Sequence, residues 1–148
     1  MMQVINPRQT IFYTIERAIK TYRQYAQRSI SEHGIDITID QLLVLRAIQD
    51  FDGISQTQIA GMIFKDYASV TRIIDLLVRK NYLQREYHKN DRRRHHLKIT
   101  SSGSKVIAKL NPVVADYRQN ALENISEEEI KGLRNVLEKI TDNCAVSV

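Results

Sequence analysis

One cysteine, no tryptophan, two prolines and five glycines leave this 148-residue chain short of several devices that small proteins rely on. The lone Cys144 cannot close an intramolecular disulfide, which fits a reducing compartment. No stretch reaches the roughly 18 consecutive apolar residues that a membrane span needs. The opening MMQVINPRQT has neither the basic start nor the apolar run of a signal peptide, so a cytoplasmic protein with no membrane partner is expected. A glycine-rich phosphate loop is missing too, and no nucleophile, base and orienting acid assemble on one predicted surface. An enzyme is therefore not expected, nor is a cofactor. Scarce glycine and proline, with no repeat or low-complexity linker, favour helices. A composition of 43% apolar and 26% charged residues suits a single globular domain over residues 1–148.

What the chain does have is a local excess of positive charge. From Arg79 to Lys98 eight basic residues face two acids, a balance of +6, whereas the whole chain carries +5. The rest is therefore close to neutral. A uniformly basic protein needs no explanation beyond solubility. One basic segment on a neutral body suggests a polyanion partner, with a solvated surface as the plain rival.

That segment follows an amphipathic helix. Val70, Ile73, Ile74, Leu77 and Val78 form an apolar stripe, while Ser69, Thr71, Arg72, Asp75 and Arg79 lie opposite and Asp66 stands as N-cap. Before it, Ser55 to Gln58 has capping-box form, and Ile59, Met62 and Ile63 follow. The two helices with a tight turn make a helix-turn-helix, whose second helix enters a major groove. After Lys80-Asn81 the residues Tyr82 to Tyr87 and His95 to Ile99 read as strands around a turn-rich, cationic His88 to Arg93.

The flanks are helical. Asn6-Pro7 predicts a helix start, with Gly34 as the stop, and Phe12, Ile15 and Ile19 lie on its stripe. A capping box at Thr38 to Gln41 opens a helix that is apolar nearly all round. Thr100 to Gly103 opens another, with Ile107, Leu110, Val114, Tyr117 and Ala121 on its seam and a bend expected near Pro112. Ser126 to Glu129 caps the last, whose seam is Ile130, Leu133, Leu137, Ile140 and Cys144. Packing the outer seams across a two-fold axis predicts a homodimer.

The T-x-x-Q-x-x-V-L of Thr38 to Leu45, the SVTRIIDLL of Ser69 to Leu77, the D-R-R of Asp91 to Arg93 and Ile99-Thr100 with Gly103 together resemble the MarR family of winged helix-turn-helix transcriptional regulators. The resemblance implies a mainly α fold with a small β-hairpin wing (α+β). Residues 38–100 would form the winged helix-turn-helix, with 6–34 and 101–145 as dimerisation helices. It further implies a homodimeric repressor on a palindromic operator in double-stranded DNA. Many members of the family respond to a small anionic or phenolic effector, or to oxidation. Asn81 departs from the family's usual glycine, and three of the four histidines, His88, His95 and His96, crowd the wing.

Arg72, Thr71 and Ser69 are the expected major-groove contacts, since Arg pairs bidentately with guanine and short hydroxyls reach bases or phosphates. Tyr67 either packs on the DNA backbone or covers the helix start. Gln56 and Thr57, at a helix N-terminus, suit a phosphate. In the wing Lys89 is expected to touch phosphate. Strand alternation sends Arg92, Arg93 and Arg94 to different sides, with Asp91 stabilising the wing by pairing with Arg93 while Arg92 or Arg94 reaches a narrow minor groove. The family match gives Arg93 a DNA role as well. Adjacent histidines on a strand face opposite ways, so no metal site is expected. The alternatives are a protein-interaction module with a degenerate winged helix and a metal- or redox-responsive regulator.

Overall fold

The computed structural model describes residues 6–146, without the side chains of residues 88, 92, 94 and 95. It is mostly helical with one two-stranded hairpin, a winged helix-turn-helix. The chain divides into two compact units between Tyr117 and Arg118.

In the first unit Asn6 caps only a short 3-10 turn, Pro7–Gln9, accepting the Arg8 amide at 3.1 Å. The long helix α1 (Ile11–Glu32) starts later than the sequence suggests, because Thr10 is its true N-cap. Gly34 ends it as expected, with φ +69°. The Gln27 side chain then pins the link to α2 (Ile39–Asp50), donating to the Ile37 carbonyl and accepting the Ile39 amide, both at 3.0 Å.

The capping boxes predicted at Thr38 and Ser55 both form. Between the helices they open, Leu42, Val44, Leu45, Ile59 and Ile63 close the centre of the core. Helix α3 (Gln56–Ile63) ends at Phe64, which adopts the left-handed conformation with φ +58°. Helix α4 (Tyr67–Arg79) buries Val70, Ile74 and Leu77 against α2 and α3, the stripe read from its 3,4 spacing. Asn81, at φ +60°, turns the chain out of it and shows how Asn serves where glycine is usual.

Strands β1 (Leu83–His88) and β2 (Asp91–Ile99) pair antiparallel from Leu83↔Ile99 to Tyr87↔His95. His88 then pairs with Asp91, so the turn is only Lys89-Asn90 and Arg92 to Arg94 have no cross-strand partner. This is a bulge. The hairpin is thus longer and less regular than the sequence predicts, and simple alternation does not apply to its arginines.

Helix α5 (Ser101–Ala121) runs through Pro112 without a stop. Its start explains the Ile-Thr-x-x-Gly pattern. Thr100 donates its hydroxyl to the Asn81 carbonyl at 2.6 Å and accepts the Gly103 amide at 3.0 Å. A Cβ at Gly103 would lie 2.3 Å from the Tyr82 carbonyl oxygen and 2.8 Å from Ile99, so only glycine lets α5 seat on the root of the hairpin. Further along, Ile107, Leu110, Val114 and Tyr117 are buried, Tyr117 edge-on to Tyr22 at 6.0 Å.

In the second unit, α6 (Glu127–Cys144) opens on the predicted capping box, with Ser126 and Glu129 exchanging bonds of 2.8 and 3.1 Å. The Ser126 backbone amide and hydroxyl hold the Glu129 carboxyl below its ordinary range. No α6 residue is buried.

Candidate nucleic-acid interface

The first turn of α4 is fixed by its own polar side chains. Asp66 accepts the Ser69 amide and the Ser69 hydroxyl, each at 2.8 Å. Those bonds, the amide first, hold the Asp66 carboxyl below its ordinary range. Thr71 donates its hydroxyl to the Tyr67 carbonyl at 3.1 Å and accepts the side-chain amide of Gln56, which also reaches Tyr67 at 3.4 Å. Three expected base or phosphate contacts are therefore engaged within the protein, Ser69 in the cap of α4 and Gln56 and Thr71 in joining α3 to α4. Donor and acceptor sides of the Thr71 hydroxyl are both used.

Arg72 differs. It is exposed, and among the described residues it makes no hydrogen bond or ion pair. It lies on an outward stripe with Ala68, Leu76 and Arg79, all exposed, while Tyr67 and Thr57 are exposed nearby. Leu76 and Arg79 extend the outer face beyond the residues expected at the site. Continuing the i, i+4, i+7 series from Arg72 along the outer face finds them.

The hairpin is tied to this helix at its base. Arg85 of β1 pairs with Asp75 at 2.5 Å. Across the strands, Glu86 takes Lys98 at 3.2 Å and His96 at 2.8 Å, and this pairing, Lys98 foremost, lowers its carboxyl. Lys98 is thereby committed within the hairpin, and His96 is held by a carboxylate. Asp91 does stabilise the wing, but through the Arg93 backbone amide at 2.9 Å. The Arg93 side chain is exposed, as is Lys89; those of Arg92 and Arg94 lie outside the described residues.

The residues expected at a dimer seam divide. Leu110, Val114 and Tyr117 are buried within the single chain, because α5 uses that face to close its own core, and they do not stand free for a partner. Phe12, Ile19 and Leu133 are exposed, while Ile15, Ile130, Leu137 and Ile140 are half-buried. Cys144, read as part of an apolar seam, is exposed. Among the described residues no group of three or more metal-type ligands gathers, and no helix is long and apolar enough to cross a membrane.

A family model described as "MarR family" matches residues 37–95, which run from the α1–α2 link into β2. The multiple antibiotic resistance protein MarR of Escherichia coli (strain K12) is 28% identical over 127 residues, 84% of this chain and 88% of that protein. Residues 37–95 are thus similar to the MarR family, and most of the chain is similar to that one relative. Solved structures agree on the fold. A mutant E. coli MarR complexed with operator DNA superposes with a TM-score of 0.81 at 24% identity, over 93% of this chain and 98% of that one. Bordetella bronchiseptica BpsR, described for regulation of its DNA binding by 6-hydroxynicotinic acid, also gives 0.81, at 20% identity over 95% and 99%.

Proposed function

We propose that this protein acts as a MarR-type regulator, a homodimeric repressor that works in the cytoplasm, binds a palindromic operator in double-stranded DNA and is released by a small-molecule effector. The observation that carries the DNA part is Arg72, an exposed guanidinium on the outer face of α4 beside neighbours whose polar groups are already bonded within the protein. A fixed backbone that presents an exposed bidentate donor suits base reading. Tyr67 and Thr57 then meet sugar and phosphate, Arg79 adds a phosphate contact, and Arg92, Arg93 or Arg94 from the bulged wing enters a narrow minor groove with Lys89 on the backbone.

Apolar residues left exposed or half-buried, Phe12, Ile15 and Ile19 on α1 and Ile130, Leu133, Leu137 and Ile140 on α6, support the dimer. A two-fold dimer suits a palindromic operator, whose half-sites repeat one sequence. The effector part rests on family likeness, with BpsR as the case in point. Selection of bound sequences from random duplex DNA, with light scattering on the free protein, tests the reading. A palindromic consensus and a dimer mass are expected. A monomer, or selected pools with no common sequence, contradicts it.

A further inference from the structure

Both ends of α4 are held by lysines that reach back to the first turn of α2. Before the helix, Lys65 places its ammonium 3.3 Å from Asp40, whose other carboxylate oxygen takes Arg23 of α1 at 2.5 Å. After the helix, Lys80 donates to the buried Gln41 side chain at 3.3 Å and to the Asp36 carbonyl at 2.7 Å. Asp40 and Gln41 are consecutive. One turn of α2 therefore grips the helix at its entry and its exit, and Arg23 ties that turn to α1.

The entry is also where the backbone is under strain. Phe64, an aromatic residue at φ +58° and 94% exposed, has no packing of its own to favour that conformation. The next residue is Lys65, whose amide donates to the Ala60 carbonyl at 3.1 Å. A tether on the Lys65 side chain holds the turn where the Phe64 side chain does not. Lys65 points to a carboxylate on α2, so its charge is used inside the protein.

We propose that Asp40, through Lys65 and Arg23, is a positioning residue that sets the pose of α4, with Gln41 and Lys80 as its counterpart at the far end. The proposal rests on the DNA reading for its effect on affinity and on the structure alone for its effect on the turn. Lys65 is then a strut and not a phosphate contact.

The test uses the full chain as wild type, Asp40→Asn, Lys65→Met and the double variant, with Asp40→Glu as the conservative change. On the protein alone, hydrogen exchange at the Lys65 and Val70 amides should quicken about three- to fivefold in both single variants, the size expected of an exposed ionic contact, while the Leu45 amide is unchanged. On a duplex obtained by selection, each single variant should lose about three- to fivefold in affinity, with the double no worse than either and Asp40→Glu recovering part. The salt dependence should keep its wild-type slope. Unchanged exchange overturns the strut. So does Lys65→Met lowering the log–log slope by about 0.9 while Asp40→Asn tightens binding, since Lys65 would then be a phosphate contact. A wild type that binds no duplex defeats the DNA reading, and the exchange measurement still decides the strut.

Discussion

The start of α4 and the wing carry exposed arginines of the same chemistry on backbones of opposite kind. Around Arg72 the Asp66 cap, the Thr71 hydroxyl and the Gln56 amide lock the first turn, and Asp75 pairs with Arg85 below it. Around Arg93 the Asp91 carboxylate gathers the chain through the Arg93 amide, and the three arginines lie where cross-strand pairing is interrupted. A guanidinium on a rigid mount can discriminate a base edge. One on a bulged ribbon can follow a groove and a phosphate line, which adds affinity with little choice of sequence.

The comparison can be broken or sharpened at several points. The largest effect is expected at the joint beneath both regions. Gly103→Ala drives a Cβ into the Tyr82 carbonyl, and overpacking against backbone should cost about 3 kcal/mol in chemical denaturation, loosening wing and reading helix together. Next comes Arg72→Ala, which should lose about 1 to 3 kcal/mol on a selected duplex and far less on a scrambled one, read by competition binding. Thr71→Val removes one hydrogen bond within α4 and one from α3, so about 1 to 2 kcal/mol of stability should go while base preference is kept. A changed preference there would return Thr71 to the base contacts.

The smallest effect concerns pH. The folded Asp66 carboxyl titrates below its ordinary range, so the cap contributes above the unfolded value and is lost as pH falls through the lowered folded value. An NMR titration of that carboxyl should show a midpoint below that of an unstructured aspartate. A midpoint at or above it would remove the locked first turn.

Much of this was legible in the sequence because it depends on local chemistry. Thr38, Ser55 and Ser126 with their partners three residues on announce capping boxes, and the 3,4 spacing of Val70, Ile74 and Leu77 announces the buried face of α4. The Asn6-Pro7 start reads one element too early, since a cap serves a 3-10 turn as well as an α-helix and Thr10 supplies the second one. Long-range partners carry no such signal. Nothing in the spacing of Gln56 and Thr71, or of Asp40 and Lys65, says that they meet, and so the hydroxyls near Arg72 read as DNA contacts when the protein itself uses them. The same limit applies to α5. A seam of Leu110, Val114 and Tyr117 looks alike whether it covers a neighbour or the chain's own core, and the fold assigns it to the core. The wing bulge escaped for a related reason, because alternation in sequence assumes an unbroken register.

The division between a rigid reader and a bulged wing is tested most directly by salt titrations of wild type, Arg72→Ala and Arg93→Ala on a selected duplex and a scrambled one. Arg72→Ala should narrow the gap between the two duplexes, whereas Arg93→Ala should weaken both alike and reduce the log–log slope by about 0.9 for each phosphate that is no longer neutralised. Equal losses on both duplexes for Arg72→Ala, with sequence preference abolished in Arg93→Ala, would contradict that division and move the reading of sequence from the helix to the wing.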